Sequence, residues 1–343
     1  MKKYNVAILG ATGAVGQEFL NLIEERNFPF GVLKLLASSR SAGKVIEFMG
    51  KSYIVEEATD DSFANIDIAL FAGGSASTKF APAAVKAGAI VIDNSSAFRM
   101  DPEVPLIVPE VNPEDIKKHK GIIANPNCST IIMVMALKPL YDQARIKRIV
   151  VSTYQAVSGG GKEAIDELEN QVQAIANNQP VEAHILPSAS LPKHYQIAFN
   201  VIPQIDAFMP DGYTKEEMKM VHETHKILND YNIGISATTI RIPVYRSHSE
   251  SINIEFEEEI SVQQAKELLA AFPGVIVQDD PSQQLYPMPL FTSNQNEVFV
   301  GRIRQDDSVA HGLNLWVVGD QIRKGAALNA LQIAEHMIAH NLI

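Results

Sequence analysis

At 343 residues the chain is longer than an ordinary single domain, so two domains with sizeable cores are expected. The 40 acidic against 29 basic residues give a net charge of −11, a surface that as a whole repels nucleic acid and anionic membranes, so any anionic ligand must be held by local cations. One cysteine rules out an internal disulfide framework, and no apolar run has membrane-span length or signal-peptide form; a cytoplasmic protein with no nucleic-acid or membrane partner is expected.

Residues 5–9 read as a short apolar strand that runs into the heptapeptide GATGAVG, Gly10 to Gly16, and then into a helical stretch at 17–25. Strand, glycine turn and helix form the start of a dinucleotide-binding fold. Gly10 permits the turn, Gly13 a close backbone approach and Gly16 close helix packing. Tight strand-to-helix turns also use glycine for purely structural reasons. What favours the dinucleotide reading is the motif's place at the head of an alternating strand and helix pattern. The next strand, 32–37, ends in Ser38-Ser-Arg-Ser-Ala-Gly43, with no acid where an NAD enzyme grips the ribose 2′-hydroxyl. Arg40 stands there instead. It is either a 2′-phosphate ligand, which selects NADP, or a solvated loop charge.

Further strand signals at 66–72, 89–93 and 121–124, separated by helices such as 77–87, predict a Rossmann-type doubly wound parallel sheet in an α/β fold. Gly73-Gly-Ser75 and Asn94-Ser-Ser96 fall at strand ends, where they line a cofactor cleft or turn the chain. The segment Asn125-Pro-Asn-Cys-Ser-Thr130 leads into the apolar run 131–137. Cys128 therefore falls in the first turn of a predicted helix, where unpaired amides and the helix dipole favour a thiolate. A buried, inert cysteine at a helix start is the other reading. After the helix, strands at 146–155, 238–244 and 251–257 suggest a second, mixed α+β domain with antiparallel pairing. The tail from 324 to 343 has helical spacing and is expected to return to the first domain. The boundaries are then 1–127 plus 324–343 for a dinucleotide domain and 128–323 for a catalytic and dimerisation domain.

Two patterns carry less. Ser158-Gly-Gly-Gly-Lys162 lacks the Ser or Thr after the lysine and the earlier glycine that a phosphate loop needs. His222 and His225 share a helix face without a further ligand pattern, so no metal is expected.

The whole chain resembles the aspartate-β-semialdehyde dehydrogenase family. The resemblance rests on GATGAVG, on Asp93-Asn-Ser-Ser-Ala-Phe-Arg99, on NPNCST, on Gln155 with Ser158-Gly159, on Glu216-Glu-Met-Lys219, and on Arg241 seven positions before His248. One position departs: Thr239 stands where the family often has a non-catalytic cysteine, which makes Cys128 the sole thiol. The resemblance implies reversible conversion of L-aspartate-4-semialdehyde, NADP and phosphate to 4-aspartyl phosphate and NADPH, in the biosynthesis of lysine, threonine and methionine. Cys128 would attack the carbonyl and form a thioester, His248 would act as general acid/base, and Gln155 would orient substrate or thiol. Arg241 would grip the substrate carboxylate, Glu216 its ammonium group, and Lys219 and Arg99 the phosphate, with Asn127 also at the substrate. Thr214 and Glu217 read as a capping box, which makes Glu217 structural. The cofactor would rest on Gly10, Thr12, Gly13, Ala14, Val15, Ser38, Arg40, Ser41, Gly73, Ser158, Gly159 and Gln321. A homodimer or homotetramer is implied. An N-acetylglutamyl-phosphate reductase would not need Glu216, and a dinucleotide-sensing regulator would need neither Cys128 nor His248.

Overall fold

The computed structural model describes residues 2–343, which form two compact units, 2–127 with 325–343 and 128–324. In the first unit β1 (Tyr4–Leu9) feeds the glycine turn and α1 (Ala14–Glu25), followed by β2 (Phe30–Ala37). A small hairpin of β3 (Val45–Phe48) and β4 (Lys51–Ile54) comes next, then β5 (Glu56–Glu57), β6 (Ile68–Phe71), α2 (Ala76–Lys86), β7 (Ile90–Asp93) and β8 (Ile122–Ala124). The main sheet is parallel throughout, in the order β5-β2-β1-β6-β7-β8. The order reverses between β1 and β6, and a crevice for a dinucleotide opens at such a switch point, outside the carboxyl ends of the strands.

Both faces of this sheet are covered, which is why its strands are apolar runs and not alternating ones. Phe19, Leu22 and Ile23 of α1 pack on one face and Phe80, Ala81 and Ala84 of α2 on the other. Gly16 makes the first packing possible: a Cβ there would lie 2.2 Å from the Gly10 carbonyl oxygen.

The second unit begins with α3 (Cys128–Gln143) and contains β9 (Ile146–Gln155), α4 (Lys162–Ala176), α5 (Lys215–Leu228), β10 (Gly234–Arg241), β11 (His248–Phe256), α6 (Val262–Ala271), β12 (Val275–Val277), α7 (Pro289–Thr292), β13 (Val298–Asp306) and β14 (Gly312–Gly319). Its mixed sheet has the order β10-β9-β11-β14-β13-β12. On β11, residues 248, 250, 252, 254 and 256 are all buried, whereas Ser251, Asn253 and Glu255 on the other face are half-buried. Helix α3 covers the buried face, with Ile132 seated on Gly319, where a Cβ would come within 3.0 Å of it. The chain then returns to the first unit as α8 (Leu328–Ala339). There Ala330, Leu331 and Ala334 pack in the α1 cluster, and Arg26 pairs with Glu335 at 2.7 Å.

Three expectations need correction. Strand β10 starts at Gly234 and stops at Arg241 instead of running to 244, because residues 242–247 form the turn into β11 and Ser247 takes φ +71°. It also pairs parallel with β9; only β11 is antiparallel to β9. Helix α8 opens at Leu328, after a π-helical turn over Arg323–Ala327.

Candidate active site

In the second unit, register brings the key side chains into one row. Parallel pairing sets Arg241 of β10 beside Gln155 of β9, while the pairing of Ser249 with Tyr154 leaves His248 on the far side of Gln155, opposite Gly319. The seven-residue spacing of Arg241 and His248 is thus the length of chain that crosses over the end of β9. All three side chains are buried.

The Gln155 amide nitrogen lies 3.4 Å from His248 Nε2 and 3.3 Å from Glu216 Oε1, and Thr153 donates to Gln155 Oε1 at 3.0 Å. His248 Nδ1 accepts the Ala156 amide at 3.0 Å, so the neutral ring carries its proton on Nε2, and the nearby Gln155 amide group faces a donor there. Burial, with Arg241 adding to it and Glu216 opposing, lowers His248 to about 3. General acid/base work, the role expected of this histidine, requires Nδ1 to release the Ala156 amide, because a doubly protonated ring has no acceptor. As it stands the ring is an Nε2–H donor.

Arg241 is held by a 2.7 Å hydrogen bond from Nη1 to the Ala156 carbonyl. Burial lowers its pKa, while the charges of Glu216 and of Cys128 at the head of α3 oppose that shift. The helix α5 that brings Glu216 is set by the Thr214–Glu217 capping box, and Glu217 also accepts the Thr239 amide at 3.0 Å. Glu217 is therefore spent on structure, and Thr239 touches Thr214. Lys219 lies 3.1 Å from Glu216 and 3.2 Å from Asp206. Burial opposes its charge, but the two carboxylates prevail and raise its pKa. Asp206 had no signal in the sequence, since it lies in an aperiodic loop. Gly159 is placed against this row: a Cβ there would stand 2.9 Å from Arg241 Nη1 and 3.3 Å from His248 Cε1. Ser158 accepts from Gln321 at 2.5 Å, and Gln321 Oε1 takes the Ser247 amide at 2.8 Å, so that glutamine ties down the turn before His248.

In the first unit, Thr12 reaches Ser41 at 3.4 Å, and the amides of Gly10 and Ala11 both donate to the Leu36 carbonyl; the glycine turn and the Ser38–Ser41 turn are thus side by side at the carboxyl ends of β1 and β2. Helix α1 has no side-chain cap at Gly13 and no acid in its first turn, which leaves its positive end, with the amides around Ala14 and Val15, unopposed by side chains. Gly10 at φ +86° and Gly73 at φ +107° need the absence of a side chain, and nothing but the Gly10 carbonyl lies within 4 Å of a Cβ built at Gly13. Arg40 is exposed. These residues fit a dinucleotide phosphate. Arg99 donates to the carbonyls of Asn125 (2.9 Å) and Asn94 (2.8 Å), and Asp93 fixes the loop between by binding Ser77 (2.6 Å) and Ser95 (2.5 Å). Asn127, buried, follows β8 immediately before Cys128.

The doubly wound parallel sheet is of the dinucleotide-binding type, and family models place the chain among the oxidoreductases: residues 5–119 match the NAD binding domain and 137–324 the dimerisation domain of semialdehyde dehydrogenases. Similarity is high to the aspartate-semialdehyde dehydrogenases of Aquifex aeolicus (59% identity over 99% of both chains) and Bacillus subtilis (54%, 99% of both). The Vibrio cholerae aspartate semialdehyde dehydrogenase II, solved in complex with ASA, superposes with a TM-score of 0.93 at 47% identity over 99% of both chains. The Candida albicans enzyme solved with NADP superposes at 0.77, with 26% identity over all of both chains. Within the oxidoreductases this chain belongs to the aspartate-semialdehyde dehydrogenase family. That membership sets aside the N-acetylglutamyl-phosphate reductase and the non-enzymatic regulator.

Proposed function

We propose that the protein catalyses the reversible conversion of L-aspartate-4-semialdehyde and phosphate to 4-aspartyl phosphate, with NADP as oxidant, through a thioester on Cys128. The Cys128 sulfur attacks the aldehyde carbon, and His248 Nε2–H stabilises the oxyanion that forms. NADP, when bound, accepts the hydride that leaves that carbon. A phosphate oxygen then attacks the thioester carbon and expels the Cys128 thiolate, which Arg241 and the α3 dipole stabilise. Arg241 binds the substrate carboxylate through the rest of its fork, Glu216 the ammonium group, and Lys219 with Arg99 the phosphate. Gln155 and Asn127 orient the acyl group. The first unit binds NADP, with Arg40, Ser38 and Ser41 on the 2′-phosphate; the second carries catalysis and dimerisation. The protein works in the cytoplasm, in keeping with the absence, among the described residues, of any helix long and apolar enough to cross a membrane.

The observation that carries this reading is the single row of Arg241, Gln155 and His248, with Glu216 against Gln155 and Cys128 as the first residue of the helix that covers this sheet. The test is NADPH formation by the purified protein with NADP, phosphate and either aspartate-4-semialdehyde or N-acetylglutamate-5-semialdehyde. Turnover with the first aldehyde, dependent on phosphate, is expected; preference for the acylated one would overturn the role of Glu216.

A further inference from the structure

Behind the row of Arg241, Gln155 and His248 lies a second one, formed two residues further along each strand: Thr239, Thr153, Glu250 and Val317. Glu250 shares the buried face of β11 with His248 and has no exposed surface. Neither of its carboxyl oxygens meets a hydrogen-bond partner. The residues directly opposite, Thr153 on β9 and Val317 on β14, are uncharged, and next along its own strand face come His248 and Ile252. Helix α3, which covers the sheet here, is apolar from Ile131 to Leu137, with Cys128 at its head and Lys138 and Asp142 paired to each other towards its far end. On β10 the charged group is Arg241; of the charged groups on α5, Glu216 and Lys219 are engaged within the first row, and Glu217 is bonded in the capping box and to the Thr239 amide, with the strand β9 between it and Glu250.

A carboxylate in such a place costs several kcal/mol with no counter-charge to offset it, and a buried acid escapes that cost by keeping its proton. We propose that Glu250 is a positioning residue that works as an uncharged carboxylic acid, supporting Gln155 and His248 from behind only while it keeps its proton. The coupling runs through Thr153, its direct cross-strand neighbour, whose hydroxyl donates to Gln155. Burial alone shifts the Glu250 equilibrium upward, with no charged neighbour contributing. When the proton is lost, the new charge can be relieved only by hydrating this layer or lifting α3 from it, and either displaces Thr153. Activity should therefore fall on the alkaline side while the first row is chemically intact. This inference rests on the roles given above to His248 and Gln155.

The experiment compares the wild type with Glu250→Gln over roughly pH 6 to 10. Three readouts are taken: the infrared C=O stretch of a protonated carboxylic acid at neutral pH, the thermal midpoint, and kcat/KM for the aldehyde. The acid band should be present in the wild type and missing in Glu250→Gln. Above the unfolded-state value the variant should gain stability over the wild type, by about tenfold in the folding constant per pH unit until the folded-state value is passed. Its kcat at pH 7 should be near that of the wild type, and the wild-type alkaline limb of kcat/KM should be lost. Glu250→Met, which removes the titrating group without adding an amide, should lose the same limb. An absent acid band, a stability difference flat with pH, an alkaline limb retained in both variants, or a folded but inactive Glu250→Gln would each overturn the inference. The first two readouts need no turnover, so they judge Glu250 even if the proposed reaction fails.

Discussion

Serine at position 128 would keep the shape of the α3 N-terminus and replace a thiolate with a far weaker nucleophile. We predict that Cys128→Ser lowers kcat by several orders of magnitude. Because the glycine turn and the Ser38–Ser41 turn do not involve the thiol, NADP affinity by calorimetry should stay unchanged; a loss of NADP binding would make Cys128 a structural residue. His248 supports a second prediction, about pH. Its folded-state value of about 3 is below the usual 6.5, so below about pH 6.5 the unfolded chain takes up a proton that the folded chain refuses. Stability is therefore full above that value and falls by about 1.4 kcal/mol per unit as the pH drops. His248→Asn should flatten the decline of the thermal midpoint between roughly pH 7 and 5; parallel curves would show that the ring accepts a proton in place, and hence that the Ala156 amide does not lock its tautomer.

At the scale of elements, the tightest fit is between α1 and the turn before it. A Cβ at Gly16 would be 2.2 Å from the Gly10 carbonyl oxygen and 2.7 Å from Ala11 Cα, both backbone atoms with no rotamer to change. We predict that Gly16→Ala, which would favour an exposed helix by helix propensity, here costs about 1–3 kcal/mol through overpacking. It should also weaken NADP binding, since α1 must shift relative to Gly10 and Gly13. A thermal midpoint equal to or above that of the wild type would contradict the geometry. The second element-scale lesson is β10. Its apolar pattern is visible in the sequence, but its end and direction are set by the crossover of 242–247 past β9, and a long-range connection leaves no periodic trace.

At the scale of the molecule, the second sheet buries one face under α3 and leaves the other half-exposed, with Tyr154 against Trp316 at 5.5 Å and Ser251, Asn253 and Asn314 beside them. Residues 137–324 match the dimerisation domain of the family, which supports an oligomer. We predict a particle of at least twice the 37.6 kDa chain mass in sedimentation equilibrium, with a thermal midpoint that rises with protein concentration. A monomer at micromolar concentration would remove dimerisation from the proposed roles of the second unit.

Features whose physics is local could be read from the chain alone. The glycine turn, the parallel pattern of buried strands, the helix that begins at Cys128 and the capping box of Thr214 with Glu217 each depend on neighbours a few residues apart. Motif spacing named Arg241 and His248 as partners, although nothing in that spacing says that Gln155 lies between them. Register decided that, by lining up three strands distant in sequence. Tertiary structure alone revealed Asp206 on Lys219, Gly159 beneath the Arg241 and His248 pair, the Ala156 amide that fixes the imidazole proton on Nε2, and the burial of Glu250. The alternation of β11 did carry a sign of the last, an acid among Ile252, Ile254 and Phe256. Its meaning depended on what lies opposite, and side-chain chemistry in a sheet interior is set by cross-strand neighbours and by the helix above, not by neighbours along the chain.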